Sequence, residues 1–274
     1  METFQLSEKL LKKIANLILA KKNTPLKKIV KDIHFADMAE IINELNEDQG
    51  VYLIKLFDSE KTSEILTELD EDVREKILKV LSVKEIADEI EELDSDDAAD
   101  ILGELSEKRK EEVISEISDN DLADDLKELL SYKEDSAGGL MAKELVQANE
   151  NWSVTKCLKE IKKQGENVTR VHSIYVVDDK QKLIGRLSLK DLITSPAKNL
   201  IKDIYIPKVD SVNVFEDGEE VAKIMSKYDL EAIPVVDNKK QLVGRITIDD
   251  IIDFIKEEAE EDYLLAAGVQ GDVE

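Results

Sequence analysis

The protein has 274 residues, and its 38 lysine and arginine side chains against 63 aspartate and glutamate side chains give a formal net charge of −25 at pH 7. A chain this acidic is not a general nucleic-acid-binding protein, because phosphate backbones attract basic surfaces. The length and the 42% hydrophobic content indicate about two ordinary domains. The sequence contains no run of about 18 apolar residues, which a membrane-spanning helix would need, and it has a single cysteine, Cys157, which cannot form an internal disulfide. We therefore expect a soluble, cytoplasmic chain.

The chain begins with a basic segment and continues into an acidic one. Residues 1–31 contain two glutamates, Glu2 and Glu8, against eight lysines: Lys9, Lys12, Lys13, Lys21, Lys22, Lys27, Lys28 and Lys31. Residues 37–135 are dominated by aspartate and glutamate. Two interpretations stay open: the lysines pair with the acidic body of the same molecule, or they contact the surface of a membrane.

The acidic segment repeats every twelve residues. An apolar residue recurs at Leu45, Phe57, Leu69, Leu81, Leu93, Leu105, Ile117 and Leu129. The first seven are each followed by a residue that favours helix N-caps: Asn46, Asp58, Asp70, Ser82, Asp94, Ser106 and Ser118. Each repeat predicts one short helix and its turn, and stacked helical hairpins that share a core predict an α-solenoid. A heptad coiled coil is the competing model, but cap residues at every twelfth position argue against it.

A second repeat lies in the C-terminal half. Segment 174–192 aligns with segment 233–251, and each copy has two short β-branched runs, a polar turn between them and a capped helix after them. Amphipathic helices are predicted ahead of the two copies, at 153–163 and 217–227. The predicted unit is β-α-β-β-α, and tandem units of this size pack as a pseudo-twofold pair with a cleft between them.

The segment 248–263 is strongly acidic. One stripe of the predicted helix contains four carboxylates: Asp250, Asp253, Glu257 and Glu261. Like charges about 6 Å apart repel by roughly 3 kcal/mol at an effective dielectric constant of 20. Surface lysines can offset this repulsion, and so can hard cations such as Mg²⁺ or Ca²⁺, which prefer oxygen ligands. Asp96 and Asp100 also share one helix face, either as a solvated surface or as ligands.

Both copies of the C-terminal repeat contain a G-x-x-[ST]-x-x-D pattern. The pattern places Ser188 with Asp191 in the first copy and Thr247 with Asp250 in the second. A hydroxyl at a helix start can bind phosphate, and the aspartate can accept a ribose hydroxyl. The alternative is a capping box, in which the same two side chains satisfy helix amides. In the second copy, the neighbouring Asp249 disfavours phosphate.

The sequence contains little that suggests catalysis. No serine or cysteine is placed by spacing beside His34 or His172, and Cys157 fits the apolar face of an amphipathic helix. Two histidines and one cysteine do not provide a zinc site. We therefore do not expect an enzyme.

Four features, in this order, resemble the cytosolic part of MgtE-type magnesium transporters. They are the acidic repeat with DDAADILGEL, the junction KEDSAGGLM at 133–141, the paired YVVD and IPVVD segments and the closing acidic helix. The resemblance implies a multidomain fold in which an all-α superhelical, solenoid-like N-terminal domain precedes an α/β tandem CBS-domain pair and a C-terminal connecting helix. The implied boundaries are 1–131 for the helical domain, 137–198 and 199–256 for the CBS domains, and 257–274 for the start of the connecting helix.

The resemblance also implies a regulatory function. In the family, Mg²⁺ bound between the acidic faces of the N-terminal domain, the CBS pair and the connecting helix compacts the assembly and favours pore closure. It implies a homodimer joined through the CBS domains, on the cytoplasmic side of the cell membrane. The partner domain is the protein's own transmembrane domain, which is absent from this chain, and no nucleic-acid partner is implied.

The resemblance implies two sets of ligand residues. The Mg²⁺ ligands would be Glu64, Asp96, Asp100, Asp217, Glu219, Asp229, Asp250, Asp253, Glu258, Glu261 and Asp262. Ser188 and Asp191 would bind ATP, although Leu230 stands where a relative has an aromatic residue that could stack on adenine. Two rival functions follow from the residues: an adenine-nucleotide-sensing CBS module, and a structural solenoid adaptor without a ligand.

Overall fold

The chain divides into two compact units, residues 1–126 and 127–274. The structure is a computed structural model that describes residues 4–166, 168 and 170–266, without the side chains of 260–262 and 264. None of the helices in these ranges is both long enough and apolar enough to span a bilayer.

The first unit is a stack of short helices. They are α1 (Glu8–Leu19), α2 (Asn23–Val30), α3 (Phe35–Asn43), α4 (Glu47–Ile54), α5 (Ser59–Thr67), α6 (Glu71–Val80), α7 (Val83–Ile90), α8 (Ser95–Gly103) and α9 (Glu107–Glu116). Helix α5 packs against α3 and α7, α7 packs against α9, and α4 packs against α6, so alternate helices form rows. This arrangement confirms the predicted solenoid. The division between the units falls within α10 (Asn120–Leu129).

The helix starts agree with the predicted caps except for the last one. Six predicted cap residues are N-caps in the structure: Asn46, Asp58, Asp70, Ser82, Asp94 and Ser106. Ser82 forms a full capping box with Glu85. The prediction for Ser118 was wrong, because the carboxylate of Asp119 accepts the backbone N–H groups of Asp121 and Leu122 at the start of α10. Unlike serine, aspartate adds a negative charge that the helix dipole favours at this end.

Basic side chains connect helices that are three positions apart in the order of the first unit. Lys61 Nζ on α5 donates to the carbonyl oxygens of Val30, Lys31 and Ile33 at 3.0–3.3 Å, where α2 ends. Arg109 on α9 donates in the same way to the carbonyls of Leu78 and Leu81, where α6 ends. These bonds satisfy carbonyls that a helix C-terminus leaves without an intrahelical partner.

The second unit contains two three-stranded sheets. The first combines β1 (Val146–Asn149), α11 (Val154–Gln164), β2 (Ile174–Val177), β3 (Leu183–Leu187) and α12 (Leu189–Thr194). The second combines β4 (Val212–Asn213), α13 (Gly218–Tyr228), β5 (Ala232–Val236), β6 (Leu242–Thr247) and α14 (Ile248–Ala266). In each sheet the first pair of strands is parallel and the second is antiparallel. This topology confirms the predicted β-α-β-β-α unit in two copies.

The two hairpins are alike in detail. Gln181 and Lys240, which occupy equivalent positions in the two repeats, both adopt positive φ values, of 62° and 63°. Each hairpin is closed by an aspartate whose Oδ1 accepts two backbone N–H groups, Asp178 in the first and Asp237 in the second. The hairpins also bond to each other, since Leu183 N–H donates to the Lys240 carbonyl. The two repeats are thus joined hairpin to hairpin, as expected for the predicted pseudo-twofold pair.

The segment between α10 and β1 pairs with the second repeat. The N–H groups of Ala137 and Gly138 donate to the carbonyls of Glu216 and Val214, and Ala142 exchanges two hydrogen bonds with Arg245 on β6. The corresponding segment at 200–206 pairs with the first repeat, where Ile206 exchanges two bonds with Arg186. Each repeat is therefore completed by the segment that leads into the other one.

Candidate cation-binding and nucleotide-binding residues

Several of the predicted metal ligands lie on α13 and α14, two helices that pack against each other. A Cβ atom added to Gly218 would lie 2.6 Å from a ring carbon of Phe254, so the start of α13 packs closely against the middle of α14. At the other end, Ile248 N–H donates to the Glu231 carbonyl, so the residues that follow α13 lie beside the start of α14. Acidic residues at both ends of α13 thus lie along α14.

The start of α13 carries Asp217 and Glu219. Asp217 is the N-cap residue and accepts a hydrogen bond from the Glu219 N–H at 3.0 Å. The Glu219 carboxylate pairs with Lys223 at 3.1 Å, and Lys223 also pairs with Glu220 at 2.8 Å. Asp217 and Glu219 are both exposed, so an ion from solvent can reach either carboxylate.

The end of α13 carries Asp229. This residue adopts the left-handed conformation, with φ 49° and ψ 50°, and its N–H donates to the Met225 carbonyl. Among residues with a side chain, aspartate and asparagine tolerate this conformation best. Asp229 is therefore the residue that ends α13, and its side chain is exposed.

The start of α14 carries a cluster of hydrogen bonds centred on Thr247. The Oδ2 atom of Asp250 accepts from the Thr247 N–H at 2.8 Å and from the Thr247 hydroxyl at 2.7 Å, and Asp249 also accepts from that hydroxyl. Burial works against ionisation of Asp249, but the bond from Thr247 and the positive charges of His172 and Arg170 lower its pKa. Asp250 therefore caps α14. Its carboxylate lies at the start of this helix, where the sequence predicts a metal ligand.

The remaining acids of α14 are described only in part. Asp253 is exposed and pairs with Lys256 at 2.5 Å, and Glu258 is half-buried. The side chains of Glu261 and Asp262 lie outside the described residues. These acids offer carboxylate oxygens only, a donor set that fits a hard cation such as Mg²⁺ and does not fit a soft metal.

In the first unit, the predicted ligands lie on α5 and α8. Asp96 and Asp100 are one turn apart on the outer face of α8, and the opposite face is buried through Ala98, Ile101 and Leu102. Asp96 is half-buried and Asp100 is exposed. Glu64 is exposed on α5, three helices earlier. The structure therefore presents Asp96 and Asp100 together, as predicted from their spacing.

The predicted nucleotide-binding residues bond to each other. Ser188 is the N-cap of α12, where its hydroxyl accepts from the Asp191 N–H at 3.0 Å and donates to Asp191 Oδ2 at 2.7 Å. In the second repeat, the Thr247 hydroxyl likewise donates to Asp250 Oδ2. Both copies thus have capping geometry, which was the alternative interpretation, and ATP binding at Ser188 and Asp191 stays a prediction.

Three glycines allow these elements to pack closely, a role that was not predicted from the sequence. Besides Gly218, a Cβ atom at Gly185 would collide with the Ile206 carbonyl, and one at Gly244 would lie 2.8 Å from the Ala142 carbonyl. Gly185 and Gly244 occupy equivalent positions in the two repeats, and this recurrence was the available signal. Because these two glycines lack a Cβ atom, the backbone of the neighbouring segment can pack directly against β3 and β6.

Family comparisons agree with the architecture. The model described as MgtE intracellular N domain matches residues 33–135, and the CBS domain model matches residues 137–198 and 201–257. A magnesium transporter MgtE from Thermus thermophilus is 42% identical over 131 residues, which are 48% of this chain and 29% of that protein. The matched segments span about a third of the length of this transporter and of two further MgtE transporters, from Enterococcus faecalis and Bacillus subtilis.

Two solved structures are similar over nearly the whole chain. The cytosolic domain of the Mg²⁺ channel MgtE in complex with ATP has a TM-score of 0.82 and 30% identity, covering 89% of this chain and 99% of that one. The soluble part of a magnesium transporter has a TM-score of 0.77 and 29% identity, covering 92% and 99%. Three curated relatives, which match over 131–140 residues, are magnesium transporters MgtE, in agreement with the prediction that the chain is not an enzyme. The chain belongs to the MgtE family of magnesium transporters.

Proposed function

We propose that this chain is the Mg²⁺-sensing regulatory region of a magnesium transporter. The observation that carries the proposal is the row of carboxylates along α13 and α14, on a chain with a net charge of −25. Membership of the MgtE family supports the assignment to a magnesium transporter. The proposed Mg²⁺ ligands are Glu64, Asp96, Asp100, Asp217, Glu219, Asp229, Asp250, Asp253, Glu258, Glu261 and Asp262.

The proposed mechanism is electrostatic. Acidic faces of the helical domain, the CBS pair and the C-terminal helix repel one another, and Mg²⁺ bound between them replaces repulsion by attraction. Because the ions bind more tightly to the compact arrangement, they shift the population toward it. In the complete protein, compaction of a homodimer joined through its CBS domains would favour closure of the pore. The region would lie on the cytoplasmic side of the membrane, joined to the protein's own transmembrane domain.

Small-angle X-ray scattering during a Mg²⁺ titration tests the mechanism. The ionic strength is held constant with Na⁺, so that general screening stays the same. We expect the radius of gyration to decrease with Mg²⁺ and to stay constant in the Na⁺ series. A radius that is unchanged up to millimolar Mg²⁺ would contradict the proposal and leave the acids as a solvated surface.

The ligand assignment is tested with Asp96→Asn/Asp250→Asn. Asparagine retains a carbonyl oxygen that can accept the hydrogen bonds from Thr247, so the cap of α14 is preserved while one charge is lost at each position. The matched control is Glu111→Gln/Glu166→Gln, which removes the same charge from two exposed acids outside the proposed ligand set. We expect a higher Mg²⁺ midpoint for the first variant only. Equal midpoints would refute the assignment.

Adenine-nucleotide sensing is the second candidate, because a similar cytosolic domain was solved in complex with ATP. Ser188 and Asp191 are the proposed ligands, and binding would require their mutual hydrogen bond to rearrange. Isothermal titration calorimetry with ATP is the test, using Asp191→Asn and Asp250→Asn. Binding that is lost only in Asp191→Asn would support the site in the first repeat. An absence of heat with the unmodified chain would exclude this function.

A further inference from the structure

Helices α1 and α2 carry a basic surface that the proposed cation sensing does not use. The MgtE N-domain match begins at residue 33, after both helices. All eight lysines of this segment are exposed. We call this set the lysine surface; its members are Lys9, Lys12, Lys13, Lys21, Lys22, Lys27, Lys28 and Lys31.

Packing fixes the direction in which α1 presents its lysines. Ile14 and Ile18 are buried, and α1 packs against α2 and α4. Positions 9, 12, 13 and 16 lie away from this buried side, because successive side chains are rotated by about 100°. They line an open groove of about 710 Å³ together with Lys22. The charges are therefore held on one side of a helix that is anchored by its core.

Neighbouring acids neutralise little of this surface. Glu8 is the one acidic residue between positions 4 and 31, and it pairs with Lys12 at 2.8 Å. The side chains of Lys12 and Glu8 are 74% and 87% exposed, and an exposed pair one turn apart on a helix interacts weakly. Within the described residues, the other seven lysines have no ion pair. The lysine surface is thus a local positive field on an otherwise acidic chain.

A large apolar side chain lies beside the lysines. Leu19 is 72% exposed, and it follows Lys12 by two helical turns on the same side of α1. Basic helices with an exposed leucine are typical of elements that lie at a lipid–water interface, where the apolar side chain enters the boundary between headgroups and acyl chains.

We propose that the lysine surface binds the anionic headgroups of a lipid bilayer. This inference rests on the proposed function, since a transporter's regulatory region works beside a membrane. Lysine is a compact point charge suited to diffuse attraction, and residues 1–31 contain no arginine for bidentate recognition of one phosphate. Helices α1 and α2 contain no aromatic side chain on which nucleic-acid bases could stack, so a membrane fits the surface better than a single-stranded nucleic acid.

Vesicle co-sedimentation of the full chain tests this proposal. The vesicles contain two parts of phosphatidylcholine to one part of phosphatidylserine, and the control vesicles contain phosphatidylcholine alone. EDTA is present, so that divalent ions cannot bridge acidic residues to lipid phosphates and Mg²⁺-induced compaction plays no part. We expect binding to the anionic vesicles only, and we expect it to decrease as the salt concentration rises from about 50 mM to about 500 mM.

Two variants locate the binding surface. Lys9→Gln/Lys12→Gln/Lys13→Gln should bind about 100-fold more weakly, because each lysine near an anionic membrane contributes roughly a factor of five. The control variant, Lys108→Gln/Lys180→Gln/Lys239→Gln, removes the same charge from exposed lysines elsewhere and should bind like the unmodified chain. Leu19→Ala should weaken binding several-fold at both salt concentrations.

Three results would overturn the proposal. The first is no binding to anionic vesicles, and the second is equal loss of binding in the two triple variants. The third is self-association of the chain in place of vesicle binding, if it depends on concentration and only the Lys9, Lys12 and Lys13 variant abolishes it. The lysine surface would then bind an acidic face of a second copy of the chain. Because the assay contains no Mg²⁺, its failure and a failure of Mg²⁺-dependent compaction are separate results.

Discussion

Glu89 on α7 is expected to make the stability of the helical unit depend on pH. Its Oε2 atom is buried and has no hydrogen-bond partner among the described residues. Burial raises the pKa of Glu89 to about 8, and the nearby acids Asp88, Glu92, Glu85 and Asp58 act in the same direction. The folded unit therefore retains a proton that the unfolded chain releases at a pKa of 4.5.

The sign of the effect follows from this difference in proton binding. Between pH 4.5 and about 8, the folded state binds the extra proton, so stability decreases as the pH rises through this range. Above pH 8 the charged carboxylate is retained in the fold at a cost of at most about 5 kcal/mol. Because Glu89 is only partly buried, we expect about 2 kcal/mol. Glu89→Gln removes the charge and should stabilise the unit by this amount at pH 9.

Hydrogen exchange of the α7 amides is the suitable assay, because a chain with two units does not unfold in one two-state transition. The variant and the unmodified chain should have similar opening free energies at pH 4.5 and should diverge toward pH 9. Glu92→Gln is the control, since this neighbouring glutamate is exposed. Equal opening free energies at pH 9, or a Glu89 carboxyl that titrates near 4.5 in ¹³C NMR, would contradict this prediction.

Two further predictions concern packing. Arg74→Met should destabilise the helical unit by about 3–5 kcal/mol, because it leaves the Glu104 carboxylate buried without its partner, and Arg74→Met/Glu104→Leu should recover most of the loss. Hydrogen exchange of α6 measures both changes, and a double variant that recovers no stability would contradict this prediction. Gly218→Ala should destabilise the second unit by about 1–3 kcal/mol through overlap with Phe254, whereas Gly103→Ala, which meets no atom within 4 Å, should stabilise the first unit by about 0.5 kcal/mol. Hydrogen exchange of α13 and α8 measures the two changes, and changes of the same sign would contradict this comparison.

Much of the fold could be predicted from local pattern. The twelve-residue spacing of apolar residues and caps predicted the solenoid, because one short helix and its turn fit within twelve residues. The recurrence of segment 174–192 at 233–251 predicted two equal β-α-β-β-α units. The acidic residues that lie one turn apart could also be predicted from the sequence, because residues three or four positions apart share a helix face. The error at Ser118 arose because the strict period placed the cap one residue before the better acceptor, Asp119.

Local patterns were sufficient to predict which helices and strands form and which of their faces are acidic. Three other features depend on contacts in the folded chain: the segment 137–142 completes the second repeat, Gly218 allows α13 to pack against Phe254, and Thr247 holds Asp249 and Asp250 at the start of α14. These features could not be predicted, because periodicity and capping depend on residues a few positions apart, whereas these contacts join segments that are distant along the chain or require a geometry that spacing does not specify.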